Sequence, residues 1–248
     1  MTVVVKLGGS VITEKDRPET LDGPSLDRAA DVLAGALAAG RVERLVVVHG
    51  GGSFGHHHAS EYGVSTTDGS HDVEAVHAIH GAMTTLDRFV LQRLLGRDVP
   101  AVPVHPLSTA HRDETGTLTL PTGQVSTLLA EGFVPVLHGD LVAHEGAGVT
   151  VVSGDELVVD VADALGADRV GLCSSVSGVL DETGAVVDRI DSYEAVADVL
   201  GGSEDTDVSG GMAAKVRALL ELDARASIFD LDGLEPFLEG QPVGTTVG

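Results

Sequence analysis

The residues with the clearest chemical potential form a glycine-rich stretch, 49–56, which directly follows the apolar run 45–48. The apolar run predicts a buried strand, and the residues behind the glycines can begin a helix. Because glycine has no Cβ and tolerates positive φ, the backbone of such a turn can approach a ligand closely. The N–H groups at a helix N-terminus favour an anion. The stretch is therefore predicted to bind phosphate, with His56 at its far end.

Three lysines carry a second signal, because the rest of the chain is strongly acidic. The 248 residues contain 15 Lys and Arg against 38 Asp and Glu, a formal net charge of −23. The lysines are Lys6, Lys15 and Lys215. A sequence rich in carboxylates and poor in lysine is typical of a high-salt cytosol, where charges are screened within a few Å. Lysines retained in such a chain are predicted to have a function.

Composition and charge also exclude several classes of protein. The charge argues against nucleic acid or an anionic membrane surface as the main partner. No apolar run reaches the roughly 18 residues of a membrane-spanning helix, and the first residues lack the pattern of a signal peptide. The single cysteine, Cys173, lies in an apolar run and cannot form an internal disulfide. We expect a soluble, cytoplasmic protein with a substantial core.

Alternating strand and helix patterns predict an α/β fold with a mainly parallel sheet. Apolar runs predict strands at 3–5, 45–48, 101–104, 134–137, 170–173 and 226–229, and a hairpin over 141–152. Helical spacing predicts helices at 24–39, 71–95, 125–131, 153–165 and 193–200, then from about 212 and at 234–238. In a parallel sheet the carboxyl ends of the strands meet at one edge. The glycine turns at 8–9 and 50–52 are therefore expected to face one site.

Three further patterns have plain structural explanations. Residues 50–55 match G-x-G-x-x-G, but they follow the second strand and precede a long helix, which disfavours a dinucleotide fold. His57 and His58 suggest a metal site, which we disfavour because adjacent side chains point in different directions, and His49 is interpreted as structural. The apolar stripe over 76–94 could line a ligand pocket, fill the core or form a dimer seam, and a mixture is favoured.

The motifs taken together resemble the amino acid kinase superfamily, and within it the isopentenyl phosphate kinases. The resemblance covers nearly the whole chain, through residues 6–13 with Lys15, 49–56, 101–104 with 106 and 108, 135–140, 153–155, 210–212 with Lys215, and 244–245. The string Ser53–His56 is its most discriminating part, and fosfomycin kinases are similar there.

The resemblance implies a fold, an activity and an assembly. The fold is a mainly parallel central sheet between helices, in one domain over 1–248. Its acceptor-binding part covers about 1–150 and its nucleotide-binding part about 151–248. Such enzymes transfer the γ-phosphoryl group of ATP, with Mg²⁺, to isopentenyl phosphate and form isopentenyl diphosphate. They are commonly homodimers.

The resemblance also assigns roles to individual residues. It implies that Lys6 and Lys215 contact the ATP phosphates, and that Lys15 stabilises the transferring group. Asp155 is a candidate for orienting Lys6 and Lys215, because a buried carboxylate can hold flexible ammonium groups in place. The nucleotide side is predicted to comprise Lys6, Gly8, Gly9, Ser10, Gly52, Ser175, Gly211 and Lys215. The acceptor phosphate is predicted to contact Gly51, His56 and Gly154.

One departure from the family pattern leaves alternatives open. Relatives usually carry Thr-Asp-Val-Asp-Gly where this chain has Ser-Ser-Val-Ser-Gly at 174–178. Ser175 and Ser177 replace both carboxylates, which predicts altered nucleotide affinity or selectivity. The alternatives are a fosfomycin-type or other small-acid kinase of the same fold, and a catalytically inactive nucleotide-binding regulatory protein.

Overall fold

The computed structural model describes residues 1–194, 196 and 211–248. Its strands are β1 (Thr2–Leu7), β2 (Arg44–His49), β3 (Ala101–Val104), β4 (His111–Arg112), β5 (Leu118–Thr119), β6 (Val134–His138), β7 (Asp140–His144), β8 (Gly148–Val152), β9 (Arg169–Cys173), β10 (Arg189–Ile190), β11 (Arg225–Phe229) and β12 (Thr245–Val247). Its helices are α1 (Gly9–Ile12), α2 (Gly23–Ala38), α3 (Gly52–Glu61), α4 (Val73–Leu95), α5 (Gly123–Ala130), α6 (Gly154–Leu165), α7 (Gly211–Leu220) and α8 (Leu234–Leu238), with single 3₁₀ turns at Pro106–Ser108 and Leu231–Gly233.

Eight of these strands form a large sheet in the order β10-β12-β11-β9-β1-β2-β6-β3. Every neighbouring pair in it is parallel except β11 and β12, which are antiparallel. A second, smaller sheet has the strand order β5-β4-β7-β8, and its strands β7 and β8 form the predicted hairpin. The α/β class with a mainly parallel central sheet between helices is confirmed.

Side-chain alternation along the central strands divides the core into two layers. Val3 and Val5 of β1 belong to the apolar cluster that also contains residues of α2, α4 and α8. Val4 belongs to the other cluster, with residues of α5, α6 and α7. Successive side chains of a strand point to opposite faces of the sheet. Lys6 therefore shares the face of Val4, on the side that α6 covers.

The register of the central strands aligns the turns that follow them. Leu7 at the end of β1 pairs with His49 of β2 and with Cys173 of β9. In turn, His49 pairs with His138 of β6. The turns after β1, β2, β6 and β9 therefore lie side by side along one edge of the sheet, where parallel α/β folds bind ligands.

Most predicted elements occur within a few residues of their expected positions, but several short elements differ, among them α1, β10 and β12. Residues 9–12 form helix α1 instead of an extended glycine turn, and the C-terminal strand β12 was not predicted. Each spans four residues or fewer, so hydrophobic periodicity has no length in which to appear. The predicted helix at 193–200 falls largely outside the described residues, and the polar, acidic loop that the sequence predicts at 201–209 falls wholly outside them. Among the described helices, none combines the length and apolarity needed to cross a bilayer.

Candidate active site

A cavity of about 730 Å³ opens at the edge where these turns meet. Its lining includes all but one of the residues predicted for the site: Lys6, Gly8, Gly9, Ser10, Lys15, Gly51, Gly52, His56, Gly154, Asp155, Ser175 and Lys215. The remaining predicted residue, Gly211, is the first residue of α7, one helical turn before Lys215. Sequence positions more than 200 residues apart thus converge on one concave surface.

Two lysines meet a buried carboxylate on the nucleotide side predicted above. The Nζ atom of Lys6 lies 2.6 Å from Oδ1 of Asp155, and the Nζ atom of Lys215 lies 3.8 Å from Oδ2. Burial alone raises the pKa of Asp155, but the charges of Lys6 and Lys215 outweigh it and hold that pKa below its usual value. The carboxylate therefore stays ionised, and it forms a hydrogen-bonded ion pair with Lys6 and a longer ion pair with Lys215 beside the cavity.

Glycine is required where the first two turns touch. A Cβ at Gly9 would overlap the backbone nitrogen of Gly52, and a Cβ at Gly50 would come within 2.7 Å of the nitrogen of Gly9. Gly52 also has φ of +48°, which L-residues with side chains rarely adopt. Because both turns lack side chains there, their backbones pack directly against each other and face the cavity together.

Two helix N-termini meet at another part of the cavity. Gly51 is the N-cap of α3, and Gly154 is the first residue of α6. A Cβ at Gly139 would lie 3.4 Å from the nitrogen of Gly154 and 3.9 Å from that of Gly51, so both nitrogens surround this glycine. The first N–H groups of a helix have no partner within it and carry partial positive charge. His56, half-buried on α3, lines the same part of the cavity.

A short loop between α1 and α2 carries the third lysine. Lys15 is exposed and lines the cavity. The base of the loop is attached to α3 by a hydrogen bond from the Glu19 N–H to the Ser53 carbonyl, at 3.1 Å, and by contact of the Glu19 carboxylate with Nε2 of His58, at 2.7 Å. The loop that carries Lys15 is therefore held against α3 at the cavity.

The reason given above for dismissing His57 and His58 is wrong. Their ring centroids lie only 5.0 Å apart, and with Glu61 they offer ligand atoms within 4.8 Å of one another. Consecutive helical residues normally diverge, but these rings turn toward each other. The ring nitrogens of His58 lie 2.7 Å from the Glu19 carboxylate and 3.4 Å from that of Glu61, so contacts with these two side chains account for the orientation of the His58 ring.

The apolar stripe of α4 is divided between the cavity and the core. Ile79 and Met83 line the cavity, whereas Leu86, Val90 and Leu94 belong to the main apolar cluster. A mixture of pocket and core was expected for this stripe. The cavity thus has an apolar part next to the amide-rich edge.

Sequence reasoning missed a set of buried polar residues beneath this edge. The rings of His49 and His138 stack 5.4 Å apart, and Nδ1 of His105 lies 2.8 Å from Nε2 of His138. The Asp140 carboxylate lies 2.8 Å from Nδ1 of His80. The available signal was that His49 and His138 each precede a glycine at a strand end.

Comparison with known proteins decides the family. The sequence profile of the amino acid kinase family matches residues 1–228. The chain belongs to the amino acid kinase family. An isopentenyl phosphate kinase of Haloferax volcanii is 58% identical over 99% of this chain and 98% of its own length. One of Methanothermobacter thermautotrophicus is 33% identical over 89% of this chain and 86% of its own length.

Comparison with solved structures supports the fold of this member of the amino acid kinase family. An X-ray structure of an isopentenyl phosphate kinase superposes with a TM-score of 0.83 at 27% identity, and the match covers 100% of both chains. The family and fold expected from the motifs are therefore confirmed.

Proposed function

We propose that this protein is a kinase that transfers the γ-phosphoryl group of ATP to isopentenyl phosphate and forms isopentenyl diphosphate. The observation that carries the proposal is the cavity, in which Lys6, Lys15 and Lys215 lie close to two helix N-termini. The similarity to the Haloferax volcanii isopentenyl phosphate kinase supports the choice of acceptor.

The chemistry requires charge stabilisation more than proton transfer. The attacking atom is an oxygen of a phosphate, already ionised at neutral pH, so no general base is needed. The demand is to hold several anionic groups together and to stabilise charge that spreads over the transferring group. We assign Lys6 and Lys215 to the ATP phosphates and Lys15 to the transferring group. Asp155 keeps the first two ammonium groups in position.

The residues of the cavity fit a triphosphate better than a metal ion bound by protein alone. Lysines and backbone N–H groups are donors for phosphate oxygens. The Asp155 carboxylate is engaged by two lysines, which distinguishes it from the carboxylates of a cation cage. Mg²⁺ typically keeps several waters and binds substrate phosphates. When bound in this way it would neutralise part of the phosphate charge.

Different parts of the chain would bind the acceptor and the nucleotide. We assign Gly51, His56 and Gly154 to the acceptor phosphate, and the apolar wall with Ile79 and Met83 to its hydrocarbon tail. The part of the chain up to about residue 150 would bind mainly the acceptor, and the remainder mainly the nucleotide. Gly8, Gly9, Ser10, Gly52, Ser175 and Gly211 complete the proposed nucleotide side.

The proposal is tested by ADP release with Mg-ATP in concentrated KCl. Isopentenyl phosphate and fosfomycin are supplied as parallel acceptors, and a third reaction contains no acceptor. Rapid release with the prenyl phosphate alone is expected. Turnover with fosfomycin alone would instead favour a small-acid kinase, and ATP binding without turnover on either acceptor would favour an inactive binding protein.

Two further expectations belong to the proposal. A homodimer is expected from the resemblance, and light scattering in concentrated KCl would measure its mass. We also propose that the enzyme works in the cytoplasm, where a carboxylate-rich surface suits high salt.

A further inference from the structure

We infer that His49 and His138 are positioning residues, which lock the two neighbouring glycine turns at Gly50 and Gly139 beside the acceptor phosphate. The inference rests on the proposed function, which assigns Gly51 of the first turn, and Gly154 next to the second turn, to the acceptor phosphate. It concerns side chains beneath the cavity edge, not the groups that contact the ligand.

The two histidines occupy equivalent places at the sheet edge. His49 ends β2 and His138 ends β6, and the two residues are register partners on these neighbouring parallel strands. Both are fully buried, with 0% exposure. Buried polar side chains are normally hydrogen-bonded, since an unsatisfied polar group costs free energy. Their partners therefore show what the rings do.

Each ring binds the carbonyl of the residue that follows it. The Nδ1 atom of His49 lies 3.2 Å from the Gly50 oxygen, and that of His138 lies 2.9 Å from the Gly139 oxygen. A carbonyl oxygen only accepts hydrogen bonds, so both Nδ1 atoms must carry the hydrogen. The same local geometry thus occurs in both turns.

Fixing a carbonyl also fixes the next N–H group, because the peptide unit is planar and trans. With the Gly50 oxygen turned toward the His49 ring, the N–H of Gly51 points the opposite way. The Gly139 N–H donates to the His49 oxygen at 3.0 Å, which joins the two turns. Glycines would otherwise allow these peptides to rotate. The rings thereby supply the rigidity that the glycines lack.

The second nitrogen of each ring also has a partner. Nε2 of His138 accepts from Nδ1 of His105 at 2.8 Å, which is consistent with a neutral ring. Burial lowers the pKa of His138 to about 4, so the ring is neutral at physiological pH. Nε2 of His49 lies 3.4 Å from Oδ1 of Asp87, a buried residue of α4. The His105 contact therefore fixes the tautomer of His138. The Asp87 carboxylate is itself an acceptor, so it holds the His49 ring in place without selecting Nδ1 over Nε2.

A metal site is the competing explanation. Asp87, His105 and His138 offer ligand atoms within 4.8 Å of one another. However, the 2.8 Å hydrogen bond uses the lone pair of His138 Nε2 that a metal ion would need. The hydrogen-bonded arrangement is therefore favoured, and metal analysis of the purified protein is one arm of the test.

The decisive experiment uses substitutions that preserve one ring nitrogen each. An asparagine amide nitrogen occupies roughly the place of Nδ1, and a glutamine amide nitrogen that of Nε2. We expect His49→Asn and His138→Asn to keep the KM for isopentenyl phosphate close to wild type. We expect His49→Gln and His138→Gln to raise it about tenfold, the loss of one hydrogen bond. The KM for ATP should stay unchanged in all four variants.

A matched control and a second measurement separate positioning from packing. His77→Gln changes an exposed histidine of α4 and should alter neither KM. If only packing mattered, the larger glutamine would replace histidine better than asparagine does. Equal losses in both variants, equal effects on the two KM values, or one equivalent of a transition metal bound to the purified protein would overturn the inference.

Ring ¹⁵N NMR of the wild-type protein tests the geometry without any substrate. We expect His138 to show a protonated Nδ1 and an unprotonated Nε2, and the opposite tautomer would overturn the inference. If the wild-type protein failed to phosphorylate isopentenyl phosphate, the proposed function would fail. The tautomer would still decide whether His138 locks its turn.

Discussion

Replacing Asp155 by asparagine tests whether one buried carboxylate positions both Lys6 and Lys215. The variant keeps the shape of the side chain but removes the charge that Lys6 and Lys215 share. The lysine side chains are only 8% and 15% exposed, so water compensates little for the lost partner. Two nearby ammonium groups then repel each other, and both lose their fixed position.

The size of the effect follows from the burial of the pair. Removing one partner of a buried ion pair costs about 3–5 kcal/mol, and asparagine retains an acceptor, so we expect about 3 kcal/mol. For a domain of this size that loss lowers Tm by about 6–12 °C. If the same energy is lost from the transition state, kcat falls about 100-fold. KM for ATP should not rise, because the variant removes a negative charge from the phosphate site.

The assay compares kcat, both KM values and thermal unfolding in concentrated KCl, with and without ATP. Bound phosphates supply part of the missing negative charge, so ATP should stabilise Asp155→Asn more than it stabilises the wild type. Asp163→Asn is the matched control, since it makes the same change at an exposed position of α6. A variant with wild-type kcat and unchanged Tm would refute the positioning role of Asp155.

Three further changes give separable outcomes. Lys15→Ala should lower kcat about 100-fold or more without weakening ATP binding or lowering Tm, because its side chain is exposed and is assigned to the transferring group. Turnover near wild type would show that Lys15 is misassigned. The hydrogen bond to Asp140 raises the pKa of His80 above 6.5. The stabilisation that this hydrogen bond contributes is therefore complete below pH 6.5 and is lost as pH rises through the higher folded pKa. The urea midpoint of His80→Gln should therefore depend less on pH between 6 and 8 than that of the wild type. Gly9→Ala should cost about 1–3 kcal/mol or more through overlap with the neighbouring turn, whereas Gly35→Ala, with open space in α2, should stabilise by up to about 1 kcal/mol.

The sequence predicts the fold well where a long element repeats one pattern. Helices Val73–Leu95 and Gly154–Leu165 occur within two residues of the predicted 71–95 and 153–165, because helical spacing is visible in single segments of this length. The short helix Gly9–Ile12 and the strand Thr245–Val247 were missed. The strand is defined by its pairing with β11, a contact that depends on distant residues.

The site residues, too, were predictable where the signal is local in the sequence and not where it depends on residues far apart in the chain. Lysine scarcity identified Lys6, Lys15 and Lys215 before any fold was considered, and glycine turns identified the edge of the sheet. The partners of His138 could not be found from the sequence. His105 lies 33 residues away and reaches that ring only because β3 and β6 are neighbours in the sheet.

The central claim is that this cavity transfers a phosphoryl group to a phosphate oxygen. ³¹P NMR of a reaction with Mg-ATP and isopentenyl phosphate in concentrated KCl measures that transfer directly. The account predicts that the monophosphate resonance disappears while two coupled diphosphate resonances appear, with one ADP formed per molecule of product. ATP hydrolysis to inorganic phosphate with the monophosphate unchanged would contradict it.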